Sequence, residues 1–382
     1  MLIFLGLIFV LYGGLHYYAL SKVWQALPHS ALLGGGLAMW GVFMTVAPLL
    51  VWFLVKSSWH GTATALSWLA YCWMGFLFLF CSIALLVDLA RVLAGWLGVG
   101  WHLHGVPALL AVGVPALALA GYAFFEAGQV RVERLTVSTP KLASGRVKIA
   151  QISDLHLGLM LGDSLLDRVT AILRQASPDV IVATGDMIDG QGDDLQLLAA
   201  KFRRLAPHVP MYAILGNHEA FAGAEASVKF FHDAGFTVLR GDTRQTDGVI
   251  FVGVDDATLG AGMHPLSQET QHALAAARDH AYVVLLKHQP VVDNAVPFDL
   301  QLSGHAHGGQ IFPFGLFTLL AYGVRAGTYR YDGGRTLYIN RGAGTWGPPM
   351  RLLAPPEVTL VTIESSAPSV TNGGQRNGME KR

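Results

Sequence analysis

The hydrophobic pattern divides this chain in two. Four almost uninterrupted apolar segments cover residues 1–20, 31–55, 63–87 and 106–125. Each is long enough to cross a hydrocarbon core as a helix, which takes about 20 residues. Beyond residue 129 the pattern changes to short apolar runs of strand length, at 147–152, 180–183, 210–215, 249–254, 282–286, 336–339 and 358–363. Helical periodicity fills several gaps, at 164–175, 195–205, 224–234 and 267–278. Strands alternating with helices, then strands in closer succession, predict a layered α/β domain. The expected division is a transmembrane helical domain over 1–128, a linker and first strand region over 129–146, an α/β domain over 147–364 and a disordered tail over 365–382. That tail is Ser, Gly, Asn and Lys/Arg without periodicity.

Charge sharpens the membrane reading. Up to Gln129 the only charged residues are Lys22, Lys56, Asp88, Arg91 and Glu126. The first segment lacks the positive start and small-residue cleavage site of a secretory signal, so it reads as a retained helix. Tyr17, Tyr18, Trp24, Trp52, Trp59, Trp96 and Trp101 gather near segment ends, as amphipathic rings do at an interface. Trp73, inside the third segment, departs from that pattern. Asp88 and Arg91, spaced i, i+3, are expected to pair at a helix end. Lys56, Arg131, Arg134 and Lys141 fall on one side of a four-helix topology, Lys22 and Arg91 on the other. Positive-inside counting then puts both termini and the α/β domain in the cytoplasm. The net charge of +0 suggests no nucleic-acid partner. Cys72 and Cys81 provide neither a disulfide framework nor a thiolate metal site.

Polar blocks sit where the strands end. They are Asp154-Leu155-His156, Gly185-Asp186, Gly216-Asn217-His218-Glu219, Lys287-His288 and Gly304-His305-Ala306-His307-Gly308-Gly309. Ligands of open α/β sheets gather outside the carboxyl ends of strands. Carboxylate oxygens and imidazole nitrogens are common ligands of divalent ions. Asp154 and His156 can face one metal, and Asp186, with two oxygens, can bridge two. In an extended segment His305 and His307 would point the same way, because side chains alternate with period two. Taken singly, each block is also ordinary turn or capping chemistry. Five in order, each at a strand exit, exceed that explanation.

The series Asp-x-His, Gly-Asp, Gly-Asn-His-Glu, His and Gly-His-x-His resembles the signature of the calcineurin-like metallophosphoesterases, over 147–363. The resemblance implies a four-layer β-sandwich with flanking helices, here preceded by an all-α membrane domain of about four transmembrane helices. It implies two divalent metal ions per chain. One would be held by Asp154, His156, Asp186 and His307, the other by Asp186, Asn217, His288 and His305. His218 would be the catalytic histidine beside the scissile phosphate, without touching metal. Asn340-Arg341-Gly342-Ala343-Gly344 and Pro355-Pro356-Glu357 look like the bacterial membrane-associated branch, some members of which cleave the pyrophosphate of UDP-2,3-diacylglucosamine. A multi-pass protein of the bacterial inner membrane with a lipid-linked phosphate substrate is expected on that ground. Arg341 is then a candidate for binding a substrate phosphate through its planar fork.

The implied function is a membrane-anchored dinuclear phosphohydrolase, cleaving a phosphodiester or pyrophosphate bond by attack of a metal-bridging hydroxide. Two ions about 3.5–4 Å apart clamp phosphoryl oxygens and stabilise attacking and leaving oxygens of an in-line displacement. Mixed N/O ligation suits Mn, Fe or Zn. His218 would protonate the leaving oxygen, unless it is a third ligand or a core histidine. Asp189, Asp255 and Asp256 stand as supporting groups or as turn residues. The uncharged stretch 311–322, with Phe312, Phe314 and Phe317, either folds into the core or lies at the membrane surface and holds acyl chains. A reading of another class is a membrane sensor or scaffold that binds metal without turnover. The complete ligand set speaks against it.

Overall fold

The computed structural model describes residues 2–189, 195–205, 208–277, 280–292 and 294–366. The expected disordered tail lies outside the described residues from 367 onward. The first third forms four helices: α1 (Leu2–Ala26), α2 (Ala31–Lys56), α3 (His60–Trp96) and α4 (Gly105–Ala127). They pack into one bundle, with Ala47, Ala63, Ala70, Ala84, Ala116 and Ala120 buried between them. Small side chains let backbones approach closely where lipid leaves no hydrophobic drive between helices. Large apolar residues such as Leu32, Met39, Leu86 and Leu117 face outward, which suits lipid and not water.

Three helices, α2, α3 and α4, are long and apolar enough to cross a membrane among the described residues. The chain is therefore associated with membrane. At 37 residues, α3 is about 55 Å long, well beyond the roughly 30 Å hydrocarbon core. Asp88 does not make its expected bond to Arg91. It takes Lys22 of α1 at 2.5 Å and the Tyr18 hydroxyl at 2.7 Å, across helices instead of along one.

The α/β domain opens with β1 (Arg131–Thr139), β2 (Arg146–Ile152), α5 (Asp163–Ala176), β3 (Val180–Ala183), α6 (Leu195–Arg203) and β4 (Met211–Ala213). It continues through α7 (Asn217–Ala222), α8 (Ala224–Ala234), β5 (Thr237–Val238), β6 (Thr243–Thr246), β7 (Val249–Gly253) and α9 (Gln268–Ala277). It closes with β8 (Tyr282–Leu286), β9 (Leu300–Ser303), α10 (Gly315–Tyr322), β10 (Gly327–Arg330), β11 (Thr336–Ile339) and β12 (Glu357–Ser365). Two six-stranded sheets result, ordered β1-β12-β2-β3-β4-β5 and β10-β11-β9-β8-β7-β6. The stretch 129–146 supplies β1, an edge strand paired parallel to β12 along its whole length.

Period-two alternation assigns each strand residue to a layer. Val147 and Ile149 of β2, Val180 and Val182 of β3, and Val284 and Leu286 of β8 meet between the sheets. Ala150, Ile152, Ile181 and Ala183 face outward under α5, α6 and α8. Val283 and Leu285 face outward under α9. Apolar residues on both faces explain the unbroken hydrophobic runs of these strands. The four layers run helix, sheet, sheet, helix, as the resemblance implied.

Candidate metal centre

The ligand blocks converge at the ends of β2, β3, β4, β8 and β9. They do so through strained backbone. Asp154, His156, Asp186, His305 and His307 all have positive φ, between 49° and 70°. Side chains other than glycine seldom accept that region, and residues held there mark functional sites. The surroundings enforce it. The Asp154 and His156 amides donate to the carbonyls of Gly185 and Asp186 at 3.0 Å. The buried Glu219 carboxylate accepts from the amides of Gly216, Asp186, Met187 and Ile188, tying the β3 turn to the β4 turn. Glycine is obligatory at two crossings. A Cβ on Gly185 would come within 2.6 Å of His288 Nδ1, and one on Gly304 would strike the Asp154 carboxylate.

Two separate ligand clusters result. Asp154, His156 and His307 form one, Asp186, His288 and His305 the other, and a third group, His156, Asp189 and His218, shares His156 with the first. In the first, His156 Nε2 and His307 Nε2 stand 2.9 Å apart, with Asp154 Oδ1 3.4 Å from His307 Nε2. In the second, His288 Nε2 is 3.1 Å from both Asp186 Oδ2 and His305 Nδ1. Asn217 Oδ1 joins it, 2.8 Å from His305 Nδ1 and 3.1 Å from His288 Nε2. Asp186 Oδ2 also lies 4.0 Å from His156 Nε2, so one carboxylate faces both clusters.

The His-x-His pair is not extended. Left-handed turns at His305 and His307 send the two rings apart, one to each cluster. Strand alternation does not apply in a loop that β9 has already left.

His218 stands beside the clusters. Its Nδ1 lies 2.9 Å from Asp189 Oδ1, which also takes His156 Nδ1 at 2.6 Å. Burial alone would push Asp189 up, but the charges and hydrogen bonds of His156 and His218 hold it near 2. Burial alone would pull His156 down, but the carboxylates of Asp189, Asp186 and Asp154 lift it to about 9. Burial, then the Asp186 charge, raises Glu219 to about 7 against its amide donors. Burial and the neighbouring His288 lower His305 to about 4. Neighbouring imidazole nitrogens at hydrogen-bond distance share at most one proton between them. With carboxylates on the same side, this donor set fits divalent cations.

Of the supporting acids, Asp189 alone reaches the histidines directly. Asp255 is engaged by Arg240 at 2.7 Å. Asp256 caps a short turn and takes the Gln289 amide. Arg341 does not serve as expected. Its guanidinium is committed to Glu133, Glu357 and the Pro355 carbonyl, an ionic staple between the sheet edge and the site loop. The stretch 311–322 is not core. After Ile311 it forms α10, with Phe314, Phe317 and Leu320 exposed, the last by 83%.

Three contributors had no sequence signal of their own. The Tyr322 hydroxyl at the end of α10 lies 2.7 Å from His305 Nε2, the nitrogen opposite the cluster. Such outer partners fix ring orientation and ligand basicity. Arg351 is fully buried and donates to the carbonyls of Gly344, His307, Arg341 and Ala354, holding two site loops together. Trp346 packs edge-on against His218, centroids 5.7 Å apart. Glu219 was visible within its block, though its role was not.

Comparison with known proteins agrees with this geometry. Residues 147–309 match the family described as calcineurin-like phosphoesterase. The chain is 37% identical over 254 residues to an uncharacterized metallophosphoesterase of Aquifex aeolicus, covering 65% of this chain and 97% of that one. An uncharacterized metallophosphoesterase of Bacillus subtilis is 32% identical over 263 residues, 64% of this chain and 90% of its own. A Danio rerio protein named transmembrane protein with metallophosphoesterase domain is 28% identical over 266 residues, 65% of this chain and 61% of its own.

Proposed function

The chain belongs to the calcineurin-like metallophosphoesterases, and we propose that it is a membrane-anchored dinuclear phosphohydrolase acting on a lipid-linked phosphodiester or pyrophosphate. It is a metal-dependent phosphoesterase by family. The finer reading rests on one observation, the Asp186 carboxylate facing both histidine clusters. In this reading Asp154, His156 and His307 hold one ion, Asn217, His288 and His305 the other, and Asp186 both. Ions bound there supply Lewis acidity toward phosphoryl oxygens and acidify water.

The chain's own groups do the rest. Asp189 orients His218 through Nδ1, leaving Nε2 to give a proton to the departing oxygen. Glu219 and Arg351 keep the ligand loops in their strained conformations. The exposed face of α10 borders the bundle, with Phe314 edge-on to Phe78 of α3, and this continuity with the membrane helices supports a lipid-bearing substrate. On the charge count, with α1 as a fourth span, the catalytic domain faces the cytoplasm of a bacterial inner membrane.

Full-length protein stripped with a chelator and reloaded with Mn, Fe or Zn is the test, with bis(4-nitrophenyl) phosphate as substrate. Hydrolysis should vanish on stripping and return with metal, at two ions per chain by elemental analysis. Metal binding without hydrolysis would leave the sensor reading in its place.

A further inference from the structure

We propose that membrane helix α3 is part of the active site, lining a subsite for the leaving group, and that this leaving group is the lipid alcohol. The inference rests on the phosphohydrolase reading above and adds which ester bond breaks. A pocket opens beside the cluster of His156, Asp189 and His218. His156 and Asp189 line one side of it, Ser67 and Tyr71 of α3 another, and Trp346 a third. Four residues apart, Ser67 and Tyr71 share one helix face.

The same face continues into a seam that fixes it in place. Gly75 admits the loop after Trp346 so closely that a Cβ there would meet Met350 Sδ at 2.6 Å. Leu79 then clusters with Ile311, Met350 and Leu352. From α4, the Ala123 carbonyl accepts the Arg351 amide at 2.8 Å. The loops that carry the metal centre are therefore docked on the bundle, and α3 is a wall and not a tether.

Orientation follows from His218. With Nδ1 on Asp189, its free edge serves the leaving oxygen. Its ring packs against His156, Trp346 and Phe221, centroids 4.5, 5.7 and 5.8 Å away, and the first two of these line the pocket. A leaving oxygen within reach of His218 carries its substituent toward Tyr71 and α3. Tyr71, Trp346, Leu159 and Met160 give that substituent some apolar surface among the polar Ser67, Asp189 and Thr345. It is the membrane-length α3 wall that brings an alkyl chain of the substituent next to lipid. Water adds its oxygen to phosphorus. The phosphorus–oxygen bond to the lipid alcohol breaks with its electron pair on that oxygen, which takes a proton from His218. A proton released by the attacking water restores the balance. The lipid alcohol stays in the bilayer, and the headgroup departs as a water-soluble phosphomonoester.

Full-length protein in dodecyl maltoside micelles with Mn is given dioleoylphosphatidylglycerol in oxygen-18 water. Both ester oxygens of this lipid belong to primary glycerol alcohols, so intrinsic leaving ability does not bias the result. The expected products are dioleoylglycerol and glycerol phosphate carrying one labelled oxygen. Phosphatidic acid and glycerol would overturn the proposal. So would an absence of lipid hydrolysis by a preparation that cleaves bis(4-nitrophenyl) phosphate. Failure on both esters counts against the phosphohydrolase reading itself. Tyr71→Ala should lower kcat/KM on the lipid roughly tenfold more than on the aryl ester, chiefly through KM, because an aromatic wall is lost. Equal losses, at unchanged metal content, overturn the subsite. Should that variant misfold, Trp346→Ala asks the same question from the other side of the pocket.

Discussion

Two regions of the molecule bury histidine among polar partners, and they differ in what those partners are. In the helical bundle, buried His16 has its Nδ1 3.0 Å from the Tyr12 carbonyl, with Thr45 at 3.1 Å. Its Nε2 accepts the Trp73 indole N–H at 2.9 Å. Each ring nitrogen meets a protein group of the opposite role. This also explains Trp73, the tryptophan that broke the interfacial pattern. In the α/β domain, His156 faces His307 and His288 faces His305, nitrogen to nitrogen, with carboxylates on the same side. Burial and histidine are common to both regions. A satisfied ring pins a fold, whereas convergent lone pairs call for a cation.

That contrast breaks most sharply at Asp186. Asp186→Asn should cut turnover by about 10⁴-fold or more, because the charge shared by both clusters is gone. Bound metal should fall with it. Near-normal activity at two ions per chain would remove the bridging assignment. His218→Ala comes next, with turnover lower by about 10²–10⁴-fold and metal content nearly intact. Metal loss in step with the rate would make His218 a ligand and dissolve its distinction from the clusters.

Tyr322→Phe sharpens the comparison from outside. Loss of the hydroxyl on His305 Nε2 should weaken one of two metal sites by about 10–100-fold, read as a split in a calorimetric titration. Two unchanged affinities would reduce Tyr322 to packing. The smallest effect belongs to the bundle. His16→Leu leaves the Trp73 N–H without its acceptor and should lower stability by about 1 kcal/mol, seen in thermal melts in detergent. Metal content should not move; if it did, His16 would belong with the site and the contrast would fail.

Much of the site was legible because each ligand block follows its own apolar strand. Asp154 and His156 exit β2, Asp186 exits β3, Asn217 follows β4 and His288 follows β8, each within a few residues. Such local couplings survive in a linear string. Arg341 misled for the opposite reason. A planar guanidinium suits a phosphate or a carboxylate equally, and only the placement of Glu133 and Glu357 chose between them. The Asp88–Arg91 spacing misled likewise, since i, i+3 proximity on one helix lost to Lys22 on another.

By itself the sequence determined the membrane-length apolar helices, the alternating α/β layers and the set of candidate metal-ligand side chains. All three rest on properties of short segments: apolar length, period, and residue type at a strand exit. The tertiary structure decided the rest. It sent His305 and His307 to different clusters through left-handed turns. It laid Tyr322 on His305 and brought Tyr71 of a membrane-length helix to the wall of the pocket that His156 and Asp189 line. Those relations join residues far apart in the chain. They exist only once two sheets and a bundle have packed, because contact across that distance follows from the shape of the folded layers and leaves no periodic trace along the chain.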